Sequence, residues 1–142
     1  RTVTASTRLT TQANDLVAAI NLARSEAIKR NTSIALCRTS SATATACATT
    51  ASAWANWMVE TSGGSVIRRG SVDDHNGAIV VHSTLTSDQL LFTSDGLAST
   101  GGALINASQI NVCATNVSID NIRSISLGRG SHISTSTLTG GC

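Results

Sequence analysis

The sequence predicts an α+β fold, with one N-terminal amphipathic α-helix over residues 7–30 packed against antiparallel β-sheets formed by residues 32–142. Two observations predict it. At 100° per residue, Leu9, Ala13, Leu16, Val17, Ile20, Ala23, Ala27 and Ile28 fall within an arc of about 140°, the stripe of a helix that packs on one side. Beyond the helix the pattern changes to short apolar runs separated by turn residues, the spacing of antiparallel strands.

The helix has a natural stop at Asn31, which tolerates a left-handed backbone. Asp15, Leu22, Glu26 and Lys29 lie opposite the stripe, and Glu26 precedes Arg30 by four residues, the favourable order for a surface ion pair. Two features fit a lone domain badly. Leu22, with Ala18 and Ala19, makes a second weak apolar patch on the outward side, and Arg24 falls inside the apolar arc. They fit either an ordinary exposed leucine and a snorkelling arginine or a helix with two neighbours, one its own sheet and one another subunit.

Residues 32–37 turn β-like, and residues 38–53 form a low-complexity loop of small residues. Strands are then expected at 56–60, 66–69, 79–82, 90–92, 110–113, 122–127 and 131–134. Gly63-Gly64, Asn76-Gly77, Asp95-Gly96, Gly101-Gly102 and Gly128 mark the turns between them. Trp54 and Trp57 are the largest packing elements. Their odd spacing points them to opposite faces of a strand, which excludes a shared flat binding platform. Trp57 is expected in the core and Trp54 near a loop.

At 142 residues and 14.5 kDa the chain makes a single domain, 1–142, able to bury its own core. With 41% hydrophobic and 13% charged residues it is a poor candidate for disorder. A net charge of +2 names no partner, because nucleic-acid binders show a clustered excess. No run approaches the length of a transmembrane helix, and no charged leader precedes residue 1, so the chain is expected to be soluble or to have lost a targeting segment.

The four cysteines, at 37, 47, 113 and 142, contain no CxxC pair, and His75, His82 and His132 complete no zinc-ligand spacing. Two disulfides are expected, and local pairing of Cys37 with Cys47 and Cys113 with Cys142 is favoured because each closes a short excursion. Loop-closure entropy gives roughly 3 kcal/mol for the first and somewhat under 4 for the second. Such bonds imply an oxidising compartment. Asp73-Asp74-His75-Asn76-Gly77 is a polar turn rather than part of a hydrolytic triad, and no nucleophile elbow is present. The chain is expected to be no enzyme, with no metal, no cofactor and no small-molecule substrate.

The segment RLTTQANDLVAAINLARSEAIKRN, Arg8 to Asn31, closely resembles the helix of the FimT/FimU/GspH family of type IV minor pilins and pseudopilins; LARSEAIKRN is its most specific part. The rest follows in the family's order: a strand ending in Cys37, NWMV at 56–59, LLFTSDG at 90–96, INVC at 110–113, IRSISLGRG at 122–130 and a terminal Cys142.

The resemblance implies a structural subunit whose long helix is apolar in a first half that this chain lacks and amphipathic in the second. Its partners would be other major and minor pilins, with the inner membrane reached through the missing half. It would sit in the bacterial envelope with a periplasmic domain, then in the extracellular pilus. It would help initiate pilus assembly from a tip complex, with Ala18, Ala19 and Leu22 as the helical filament interface; in a type II secretion system it would be a pseudopilin. Some members of the family are linked to DNA uptake through a Gly-Arg-x-Arg pattern. Here Gly128-Arg129-Gly130-Ser131 keeps only the first arginine. The candidate DNA contacts are Arg68, Arg69, Arg123, Arg129 and His132.

Overall fold

The computed structural model describes residues 2–142, with side chains from residue 4 onward; Arg1, where the expected domain begins, lies outside the described residues. Helix α1 runs Thr2–Arg30. It starts before residue 7, in turns that periodicity does not reveal because they are rich in Thr and Ser and carry no apolar stripe. Asn31, at φ 52°, ends it in the left-handed region, and the Thr32 N–H caps the Ala27 carbonyl at 3.2 Å.

Ten strands follow: β1 (Ile34–Thr39), β2 (Asn56–Thr61), β3 (Val66–Ser71), β4 (Ile79–Ser83), β5 (Gln89–Phe92), β6 (Ala98–Thr100), β7 (Ala103–Leu104), β8 (Ala107–Ala114), β9 (Ile122–Gly128) and β10 (Ile133–Leu138). They form two antiparallel sheets, ordered β3-β2-β1-β5-β6-β7 and β10-β9-β8-β4. Helix α1 packs against β1, β2 and β5 of the first sheet and β8 and β9 of the second. One core therefore fills the seam between three layers, with Leu9, Leu16, Ile20, Leu36, Phe92, Ile110, Ile125 and Leu127 almost wholly buried.

That seam corrects the phase of the helix. The buried residues of α1 are Leu9, Gln12, Ala13, Leu16, Ala19, Ile20, Ala23 and Ala27. At 100° per residue their arc is rotated by roughly 50° from the expected one. Val17 is only half-buried and Ile28 is 52% exposed, while Gln12 and Ala19 turn inward. A helix lying between two sheets needs small residues where both approach it, and Ala19, Ala23 and Ala27 meet that need.

The last strand is also displaced. Arg129–Ser131 form a tight turn, with Gly130 and Ser131 at φ 69° and 62°, so β10 begins at Ile133 rather than at 131.

Cys37 is bonded to Cys47 and Cys113 to Cys142. The first bond folds the 40–53 loop over the outer face of the first sheet, where Cys37 and Met58 are fully buried on the side away from α1. A buried polar network holds the same loop. Arg38 Nε donates to Asp88 Oδ2 at 3.0 Å and its other end to the Thr50 carbonyl; the Ser52 N–H and the Ser83 hydroxyl donate to the same carboxylate. Gln89 Nε2 reaches the Ala48 carbonyl at 2.9 Å. Glu60 Oε1 lies 3.3 Å from Cys47 Sγ, and burial pushes the Glu60 carboxyl up. Both tryptophans are buried, Trp57 on β2 and Trp54 in the segment before it, where the Trp54 backbone N–H donates to the Val81 carbonyl at 2.8 Å.

Candidate assembly surface

The face of α1 turned away from both sheets carries Thr7, Thr11, Asn14, Ala18, Asn21, Ser25 and Lys29, all exposed. These residues recur at spacings of three and four and make a continuous stripe along the helix. It is small and polar, with Ala18 at its middle and Leu22 along its margin. Leu22 is half-buried and packs partly against the core. Ala19 does not belong to this face: it is 0% exposed, beside Gln12 and Ala23 at the edge of the buried arc. Of the three residues expected at a helical interface, the structure leaves Ala18 and part of Leu22 available and takes Ala19 into the core.

The opposite flank explains Arg24, which the periodicity placed in the apolar arc. Its side chain crosses to the β5–β6 turn and Nε donates to the Gly96 carbonyl at 3.2 Å. Ile28 lies over the same turn, its Cδ1 3.0 Å from where a Cβ at Gly96 would stand. Gly96 has φ 82°, so a side chain there would be strained as well as crowded. The surface pair Glu26–Arg30 forms as the spacing predicts, at 3.0 Å.

The five basic residues proposed for nucleic acid do not converge. Arg68 and Arg69 are neighbours on β3, so they point to opposite faces of an edge strand, and Arg69 donates to the Ala44 carbonyl at 3.1 Å. Arg123 sits near the start of β9 in the other sheet and is used internally: Nη2 donates to Ser6 Oγ at 2.9 Å and Nη1 to the Asp120 carbonyl at 3.0 Å. Arg129 lies just beyond the far end of β9, about 20 Å away at strand rise, and donates to Asn106 Oδ1. His132 is exposed just before β10. A phosphate clamp needs cations held together, and these are dispersed over two sheets.

Asp73 and Asp74 each accept a backbone N–H two residues on, from His75 at 3.1 Å and Asn76 at 3.2 Å. With His75, Asn76 and Gly77 all at positive φ, this is the polar turn before β4.

The inner side of α1 is thus spent on two sheets of its own, and its outer side is small and polar. The family model described as type II transport protein GspH matches residues 12–128. The chain belongs to the GspH family. The fold of this GspH-family chain is that of solved pilin-like subunits. The type IV minor pilin FimU of Pseudomonas aeruginosa, in two crystal forms, superposes with TM-scores of 0.63 and 0.64 at 16% and 17% identity. The first match covers 90% of this chain and 92% of FimU, and the second 92% and 90%. The minor pseudopilin EpsH from the type 2 secretion system of Vibrio cholerae gives 0.63 at 8% identity, covering 92% of this chain and 97% of EpsH. No curated protein sequence matches the chain.

Membership in the GspH family makes the chain a pilin or pseudopilin subunit that assembles with others of its kind, and its structural neighbours are structural subunits rather than enzymes. No helix among the described residues is long and apolar enough to cross a membrane.

Proposed function

We propose that this chain is a minor pilin that helps initiate assembly of a type IV pilus from a tip complex, with the outer stripe of α1 facing the helices of neighbouring subunits. The single observation that supports this reading is the two-sided helix. Its inner arc closes two sheets, while its outer stripe, centred on Ala18, is left uncovered by the chain's own body although it runs the length of the helix. Small residues allow helices to approach closely, and Ala18 with Ser25 and Thr11 offers that on one line. An apolar segment preceding this helix would anchor the subunit in the inner membrane before assembly, with its body in the periplasm.

The test is complementation of a strain lacking the gene. Ala18→Glu is expected to leave the thermal unfolding midpoint of the soluble domain within about 2 °C, as for other exposed positions, while surface pili fall to the level of the deletion strain. Piliation equal to wild type by Ala18→Glu would end this reading. If piliation is normal in the deletion strain itself and protein export fails instead, the chain works as a type II secretion pseudopilin, a role that would use the same helical face.

A further inference from the structure

An exposed sheet edge invites strand addition unless charge, brevity or a covering segment protects it. Three of the four edges here are protected. Edge strand β3 carries the exposed Arg68 and Arg69; β7 has two residues; the outer edge of β4 accepts the Trp54 N–H at the Val81 carbonyl. The fourth edge, β10, has none of these devices. Its sequence, ISTSTL, holds no charge, no proline and no glycine, and every residue after Ile133 is exposed.

An unprotected strand this exposed should fray, yet β10 is fastened at both ends. Before it, the buried Ser131 hydroxyl accepts from the Ala98 N–H and donates to the Gly96 carbonyl, both at 2.8 Å. After it, Asn121 and Gly140 exchange two hydrogen bonds, of 2.7 and 3.1 Å, and the Cys113–Cys142 bond ties the tail to β8. Its backbone is held extended in advance, which lowers the ordering cost of adding a partner strand.

The geometry also gives the pairing. The Gly128 N–H donates to the His132 carbonyl at 2.9 Å, so in the β9–β10 ladder the even-numbered residues of β10 bond to β9. Ile133, Thr135 and Thr137 therefore turn their N–H and C=O groups outward. A two-fold axis perpendicular to the sheet keeps each face on its own side, so it requires opposed residues of equal parity. Every such register sets outward groups against outward groups, but only the one centred on Thr135 engages all three outward residues of β10: Thr135 against Thr135, with Ile133 against Thr137 on either side. No like charges meet in this register, and Thr–Thr is a favourable cross-strand pair.

We infer that β10 is an association edge at which a second copy of this chain adds its own β10, antiparallel and centred on Thr135. A pairing of six residues a side falls below the area of stable interfaces, so the dimer is weak and concentration-dependent.

The test uses the soluble chain with both native disulfides intact. Sedimentation equilibrium up to roughly 1 mM, the range of weak association, is expected to show reversible dimerisation. Opposed hydrogen-bonded residues lie about 5.5 Å apart, within disulfide reach. Thr135→Cys is therefore expected to form a covalent dimer on mild oxidation at least about tenfold faster than Ser65→Cys in an exposed turn, because association holds the two thiols together. Thr135→Pro removes an outward donor and spares the bonds to β9, so it should abolish dimerisation in a folded protein. A wild-type chain that stays monomeric, dimerisation that survives Thr135→Pro, or equal oxidation rates for the two cysteine variants would each overturn the inference. If Thr135→Pro does not fold, the comparison of cysteine variants decides.

Discussion

Replacing Asp88 by alanine is expected to destabilise the domain by about 3–5 kcal/mol, the cost of leaving one partner of a buried ion pair uncompensated. For a domain of this size that lowers the unfolding midpoint by roughly 10–20 °C. The Asp88 side chain is 1% exposed and that of Arg38 10%, so the orphaned guanidinium has little access to water. The Ser52 N–H and the Ser83 hydroxyl lose their acceptor at the same time, which frees the loop that Cys47 otherwise helps to hold.

Acid should act through the same group. Burial pushes the Asp88 carboxyl up, but hydrogen bonds from Ser83, the Ser52 backbone and Arg38 outweigh it and leave the group below the ordinary value of 3.8. A carboxyl depressed by folding contributes stability that is fully present above its unfolded value and is lost as pH falls through its folded one. Wild type is therefore expected to lose stability below about pH 3.8, with Asp88→Asn flatter across that window. Thermal unfolding followed by circular dichroism across a pH series measures both effects. An Asp88→Ala midpoint within a few degrees of wild type would show that the network is not what fixes the loop.

This network was invisible in the sequence because its two charged members, Arg38 and Asp88, lie 50 residues apart and share no pattern. Local periodicity carried more. The helix was legible because Leu9, Ala13, Leu16, Ile20, Ala23 and Ala27 obey one period and all become core. Its phase was not legible, since Val17 and Ile28 are as apolar as their neighbours and only the two-sheet seam decides that Gln12 and Ala19 go inside. For the same reason the sequence puts Ala18 and Ala19 together on the outward side, although Ala19, one residue on, is wholly buried in the core. Strands with apolar runs were found to within a few residues. Strands β6 and β7 lack such runs, and β10 alternates nothing because both its faces meet solvent. Spacing alone favoured the local cysteine pairing, and the chain closes both bonds in that way.

Trp57→Ala is expected to cost about 3–5 kcal/mol, since it empties a buried aromatic site, and Gly70 shows how tightly that site is fitted. Trp57 and Gly70 face one another across β2 and β3. A Cβ at Gly70 would stand 2.1 Å from Trp57 Cζ2, 2.4 Å from Cε2 and 2.7 Å from Cη2. The indole therefore occupies the space a side chain at 70 would need, and Gly70→Ala should cost about 1–3 kcal/mol by forcing the ring off its position. In the Trp57→Ala background the obstacle is gone and the new methyl group enters the vacated volume. The double variant should then be more stable than the two single losses predict, by about 1 kcal/mol or more. Denaturant unfolding of the four proteins measures this coupling directly. Strictly additive losses would mean that the glycine is required by the backbone of β3 and not by the ring that lies on it.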